Sequence, residues 1–268
     1  SKVAFTLLVM FVFFILLKFS ITLMPILFKE SSSPYIFNGT IEGSHSVIIP
    51  QDPTYDNAIT IHRSVNETGG IEFSWSVWLF LDDNAVANEN NVHIFHKGDD
   101  KVDPNTLLHT VATPGLYLNN GNNALTVTMN VFDSVNKQEQ IIVEDIPMNK
   151  WFNIIVRTKN RRADVYINGT IKRAIELSGV PKQNYGNIYV AQNTNRTIDD
   201  GAGNQVRNNP SLQGSKLSNL RYFDHALNVS EIQKLVKSGP NRKLVTSSAM
   251  SDKSTSYLSF DWYYNSIY

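Results

Sequence analysis

The chain has 268 residues with 24 basic and 24 acidic side chains, a net charge of zero at pH 7. That balance argues against a nucleic-acid partner, which a strongly basic chain would have suggested. The absence of cysteine excludes disulfide staples, thiolate metal sites and thiol nucleophiles. The length suits one large β domain with appendages.

Val3 to Phe28 reads VAFTLLVMFVFFILLKFSITLMPILF, apolar but for Lys18 and a few hydroxyls. A bilayer core needs about 20 such residues as helix, so the stretch predicts a single membrane span. Val3, Phe11, Phe14, Leu17, Leu23 and Phe28 are its apolar anchor residues. A cleaved signal peptide would have a shorter apolar run and an Ala-x-Ala-like site, and no such site follows. Lys18 would snorkel to an interface, pair within an assembly, or mark the true end of a shorter span. Pro25 would kink or end the helix. Lys2 precedes the span and Lys29 is followed at once by Glu30, so flanking charge does not orient it.

The polar stretch that follows is read as a linker over residues 30–40, and a β domain over 41–244. Ile71–Phe80, IEFSWSVWLF, alternates large apolar with small or polar residues, the period of a half-buried strand. Further strands are predicted at Val92–Phe95, Gly115–Leu118, Ala124–Phe132, Gln140–Val143, Phe152–Lys159, Ala163–Ile167, Thr170–Glu176, Asn187–Ala191 and Gly214–Phe223. Asn168-Gly169 between two alternating runs predicts a type I′ hairpin turn. One short helix is expected over Asn228–Lys237, with Ser230 at its cap and Gly239-Pro240 beyond its end. So many short strands predict an all-β sandwich of two antiparallel sheets. Residues 245–268 form a tail that is Ser/Thr-rich and ends in aromatics. Tyr257, Phe260, Trp262 and Tyr263 would be costly to leave in water and are expected to dock on the sandwich or on a partner.

The order of several stretches resembles the concanavalin A-like lectin/glucanase superfamily in its laminin-G-like jelly-roll form. They are FSWSVWLF, IFHKG at Ile94–Gly98, PGLYL at Pro114–Leu118, MNKWFNIIVR at Met148–Arg157, DVYINGTIK and SNLRYFDHALNVSEI at Ser218–Ile232. GVPKQNYG at Gly179–Gly186, SGPN at Ser238–Asn241 and YLS-x-x-W at Tyr257–Trp262 resemble a membrane-anchored subgroup of large double-stranded DNA viruses. The resemblance implies a jelly-roll sandwich in a virion component, a minor capsid protein or capsid-to-membrane tether. Its partners would be the lipid bilayer and capsid or membrane-assembly subunits. The alternative it implies is a lectin-like module that binds glycans for attachment. Trp75, Trp78, Trp151, Tyr166, Tyr222 and Phe223 are read first as packing between or beside the sheets.

A glycoside hydrolase needs two juxtaposed carboxylates, and no Glu-x-Asp-x-Glu run occurs; Glu72 stands alone in its strand. A non-enzymatic role is therefore expected. His93 and His96 are three apart in a predicted strand, which places them on opposite faces and disfavours a shared metal. Calcium, used by relatives at the sandwich rim, has candidate ligands in Asp199, Asp200 and Asn204, and in Asp99, Asp100 and Asp103, neither with a defined ligand spacing. Of the five Asn-x-Ser/Thr sequons, Asn38, Asn66 and Asn195 are candidate glycan acceptors, whereas Asn168 and Asn228 have turn and cap roles first.

Overall fold

A computed structural model of the chain describes residues 2–27 and 32–245, except 56, 65, 68–69, 84–90, 104–105, 107, 120–122, 133–137, 193–196, 200–204 and 208–211. The aromatic tail residues Tyr257, Phe260, Trp262 and Tyr263, and Phe28, Asn195, Asp200 and Asn204, lie outside the described residues. The chain divides into two units, of which one contains the N-terminal helix and the other is the β-sandwich.

Helix α1, Lys2–Leu27, ends two residues past Pro25. Val3, Phe11, Phe14, Leu17 and Leu23 are all exposed on it. Its first 22 residues would span about 33 Å at helical rise, enough for a bilayer core. By length and composition it has the character of a membrane span or of a signal sequence.

The sandwich contains β1 (Tyr35–Glu42), β2 (Val47–Ile49), β3 (Asn66–Glu67), β4 (Gly70–Phe80), β5 (Val92–Gly98), β6 (Ala112–Asn119), β7 (Ala124–Asn130) and β8 (Gln138–Glu144). It continues with β9 (Trp151–Lys159), β10 (Arg162–Ile167), β11 (Thr170–Glu176), β12 (Asn187–Val190), β13 (Thr197–Asp199), β14 (Gln205–Arg207), β15 (Lys216–Phe223) and α2 (Val229–Ser238). One sheet has the order β1-β15-β4-β9-β10-β11, with β3 added on β4; the other runs β2-β12-β5-β6-β7-β8. Among the described residues, the strand pairings within these two sheets are all antiparallel. This is the expected two-sheet jelly-roll sandwich. Residues 35–40, expected as linker, instead open β1, which pairs with β15 from Tyr35 to Glu42.

Alternation in β4 sends Phe73, Trp75, Val77 and Leu79 into the core between the sheets. Trp75 meets Phe95 of the facing sheet at 5.6 Å between ring centroids and Tyr222 at 5.2 Å. Trp75, Trp78, Tyr222 and Phe223 are buried, as expected of packing aromatics, and Trp151 and Tyr166 are half-buried. The β10–β11 turn has positive φ at both Asn168 and Gly169, the type I′ pattern that the Asn-Gly pair predicted. Helix α2 lies on the outer side of the first sheet, where Ile232 packs with Ile155, Phe223 and Leu227. Its cap is Asn228 rather than the expected Ser230. The Asn228 side chain accepts from the Glu231 backbone N–H while Glu231 reaches back to the Asn228 N–H, a reciprocal capping box that Ser230 cannot form.

In the second sheet, β5, β6 and β7 are buried on both faces, although β5 and β7 carry His93, His96, Thr126, Thr128 and Asn130. One face packs into the core, and the loop between β5 and β6 supplies Leu108 and His109, both buried, over the other.

Candidate functional site

Strand β5 places two sites on its two faces by means of a β-bulge. His93 pairs with Tyr117 and His96 with Gly115, but between them Ile94 and Phe95 share one step of β6, where Phe95 is opposite Leu116. Both of these residues enter the core. The inserted residue resets the alternation, so His93 and His96 share the outer face and Lys97 turns inward. The expectation that the two histidines point apart is thus overturned: His93 Nε2 lies 2.7 Å from His96 Nδ1. Strict period-two reading fails wherever a bulge adds a residue, and nothing in VHIFHKG announces one.

On the outer face His93, His96 and His109 are buried together, with one ligand nitrogen of each within 4.8 Å of the others. Their protons can be assigned from their partners. The Gln192 backbone N–H donates to His93 Nδ1 at 3.0 Å, so His93 carries its proton on Nε2 and donates it to His96 Nδ1. His96 then donates from Nε2 to the Asp99 carbonyl at 2.7 Å. His109 Nε2 donates to Gln192 Oε1 at 2.9 Å, in an amide oriented by its hydrogen bond to Asp100. The Tyr117 hydroxyl donates to His109 Nδ1 at 2.9 Å. Burial holds His93 and His96 well below the usual histidine range, and repulsion from neighbouring imidazoles adds to it. All three rings are neutral in this arrangement. His96 stacks between Tyr189 and His109, at 4.7 and 3.7 Å between centroids.

On the inner side Lys97 borders a cavity of about 410 Å³. Its Nζ donates to the Asn184 carbonyl at 2.6 Å, to Asn184 Oδ1 at 3.3 Å and to the Gly186 carbonyl at 3.1 Å. Burial brings its ammonium down to about 8. The cavity floor is Phe73, Trp75 and Tyr222, part of the core, and the rim carries Gln51, Asp52, Arg63, Gln183, Asn184 and Tyr185. Two segments build the rim: the connection from β2 to β3, and the GVPKQNYG stretch, whose Gln183, Asn184 and Tyr185 all line the cavity. Arg63 Nε donates to Gln183 Oε1 at 3.2 Å, and Gln183 Nε2 donates to Ser64 Oγ at 2.6 Å. Tyr185 is 83% exposed, an aromatic side chain beside a cavity without being part of the core. Among the described residues Asp52 is the one carboxylate on this lining, and its pKa is lowered by the backbone N–H and hydroxyl of Thr54.

The cavity was not foreseen in the sequence because its rim is loop, where no periodicity marks which side chains converge. GVPKQNYG, a stretch of the sequence resemblance, supplies one side of this rim. Of the calcium candidates, Asp199 lies in β13. Asp99 is occupied in holding its own loop, accepting from Val111 N–H and the Thr110 hydroxyl. Of the sequon asparagines, Asn38 is exposed on β1 and Asn66 lies in β3. Asn168 accepts from the Asn153 N–H through its side chain, the structural role expected of it.

No family model matches the sequence, and no curated protein matches it. Among solved structures, the receptor-binding domain of botulinum neurotoxin D superposes with a TM-score of 0.50 at 12% identity, covering 74% of this chain and 43% of that one. The serotype D ligand-binding domain in complex with N-acetylneuraminic acid gives 0.48 at 13% identity over 74% and 41%. The C/D mosaic receptor-binding domain gives 0.45 at 15% over 63% and 36%. The chain thus spans about two fifths of the length of these domains. At such identity the likeness is one of fold, a β-sandwich, and no more.

Proposed function

We propose that this chain is a non-enzymatic binding protein, tethered to a membrane by α1, whose sandwich takes a carbohydrate in the cavity between Tyr185 and Lys97. The cavity carries the reading. It is of ligand size, floored by aromatics and rimmed by a few convergent polar groups. A sugar ring presents an apolar C–H face that suits an exposed tyrosine, while its hydroxyls suit the amides and guanidinium of the rim. The lone carboxylate on the lining falls short of the pair that glycoside hydrolysis requires. The botulinum neurotoxin D domain of similar fold is named as receptor-binding, which agrees with a binding rather than a catalytic use of such a sandwich.

The test is a glycan array probed with the full chain in lipid nanodiscs, with and without calcium. Binding by the wild type that is lost in Tyr185→Ala and Arg63→Ala is the expected result. No binding by the wild type under either condition overturns the carbohydrate reading. Separately, release of the chain from membranes by carbonate without detergent overturns the tether.

A second reading is favoured by the edges of the sandwich. Strands β8 and β11 end their respective sheets, and Ile142 on β8 and Ile171 on β11 are exposed, as are Phe132 and Val180. Such a side suits contact with a neighbouring protein. With the sequence resemblance to the viral subgroup, it supports a virion role in which the tethered sandwich links capsid or membrane-assembly subunits to the bilayer. Crosslinking of Phe132 replaced by a photoreactive residue, in purified particles, tests it; the absence of any crosslinked partner counts against it.

A further inference from the structure

We propose that His93, His96 and His109 form a binding site for a first-row divalent transition ion of the zinc class, which pins the loop between β5 and β6 to the outer face of the second sheet. This rests on the outer face of β5 and is independent of the carbohydrate reading.

The donor set selects the ion. Three imidazoles offer nitrogen ligands, which suit zinc, cobalt, nickel or copper and not the oxygen-seeking calcium or magnesium. As their hydrogen bonds assign them, each ring carries one proton and one lone-pair nitrogen, the state in which imidazole ligates, and burial favours it at His93 and His96. The surroundings of His96 and His109 have the form that metal-bound histidines take. Each donates its Nε2 proton outward, to the Asp99 carbonyl and to Gln192 Oε1, leaving its Nδ1 as the lone-pair nitrogen. Asp100 in turn holds the Gln192 amide, so a carboxylate, an amide and an imidazole act in series. The Tyr117 hydroxyl, which donates to His109 Nδ1 at 2.9 Å, must turn its proton away to free that nitrogen, and its oxygen, still protonated, then lies within reach of a fourth position.

Capture requires defined changes. His93 Nε2 and His96 Nδ1, 2.7 Å apart, now share a proton; across a tetrahedral zinc ion two such nitrogens stand about 3.3 Å apart. The proton on His93 Nε2 moves to Nδ1, and the Gln192 N–H that faces Nδ1 turns away. His96 and His109, stacked at 3.7 Å between centroids, fan open about the ion. The histidines come from β5 and from the loop that follows it, so the ion closes that loop onto the sheet. In a chain without cysteine it does the work of a staple.

The full chain is purified in detergent with a tag that contains no histidine, stripped with a chelator, and titrated with Co²⁺. The expected result is one Co²⁺ per chain, with the visible bands of a tetrahedral nitrogen site, displaced by Zn²⁺ and accompanied by a rise of several degrees in Tm. His96→Phe keeps a ring stacked on Tyr189, and His109→Phe keeps one against His96; each abolishes the bands, whereas His45→Ala leaves them. Absence of bands and of a Tm shift in the wild type overturns the proposal, as does their survival in both Phe variants. X-ray absorption on the zinc-loaded wild type requires no variant to fold. A shell containing imidazoles supports the site, and a shell without them overturns it.

Discussion

The two faces of strand β5 bury basic side chains in opposite ways. On the outer face each ring nitrogen of His93, His96 and His109 has a protein partner, and the aromatic rings of Tyr189 and Tyr117 close around them. On the inner face Lys97 is also held, by carbonyl oxygens, but beside it lies a cavity of about 410 Å³. Without an ion, a saturated polar cluster fixes structure, because any member displaced with nothing in its place leaves a buried group unsatisfied, and a metal enters it only by replacing the hydrogen bonds it breaks. Polar groups that line a cavity above an aromatic floor leave room for the ligand proposed above. The same strand supplies both because one bulge shifts the parity of its side chains between His93 and Lys97.

The largest expected effect comes where the cavity meets the core. Trp75→Ala removes a side chain 2% exposed that is at once core and cavity floor, and is expected to cost about 3–5 kcal/mol in urea unfolding. If it costs much less, the cavity floor is not part of the continuous core and the inner face is more loosely built than argued.

The two faces should also separate by pH, measured on the chain in the presence of a chelator. Lys97 titrates near 8 in the fold against 10.5 in the unfolded chain, so between those values the unfolded state holds more protons and stability rises with pH, by roughly 3 kcal/mol. His93 and His96 stay neutral in the fold well below 6.5, where the unfolded chain already takes up protons, so stability falls as pH drops below 6.5. Between the two windows neither face contributes a slope. Lys97→Met is expected to flatten the alkaline window and leave the acid one, and His96→Phe to weaken the acid one and leave the alkaline one. If either variant changes both windows, the faces are coupled through the strand.

Smaller in effect is the close approach that shapes the Lys97 side. A Cβ on Gly186 would lie 2.0 Å from the Gly98 carbonyl oxygen, so Gly186→Ala must push the start of β12 from the end of β5. A loss of about 2 kcal/mol in thermal or denaturant unfolding is expected. It should come with weaker carbohydrate binding, because Asn184 and Tyr185 lie directly before Gly186 on the rim. The Co²⁺ bands of the outer face should be unchanged.

What could be read in the sequence followed periodicity and turn chemistry. The alternation of FSWSVWLF gave β4, Asn168-Gly169 gave its hairpin, and the sum of short strands gave the sandwich. Local hydrogen-bond competition was harder to read: Ser230 and Asn228 are both acceptable caps by type, and only the reach of Glu231 decides for Asn228. Residues 35–40 looked like linker because β1 is irregular, with two shifts of register against β15. The two sites were not legible, for different reasons. The histidine cluster was hidden by the bulge, an event of tertiary packing that inverts the parity on which the opposite-faces reading rested. The cavity was hidden because its rim is drawn from loops far apart in the chain.

The smallest expected effect on stability isolates the cavity's function from its structure. Tyr185 is 83% exposed and has little to lose on truncation, so Tyr185→Ala should change unfolding free energy by less than about 0.5 kcal/mol. Trp75 and Tyr185 border the same cavity, yet one is the floor that the fold requires and the other an exposed edge. An unchanged unfolding midpoint together with lost carbohydrate binding would show that Tyr185 serves the ligand and not the sandwich. A lowered midpoint would show instead that the ring packs onto the rim. In that case the inner face of β5 is closed in solution, as the outer one is until an ion enters it, and the contrast between the two faces no longer holds.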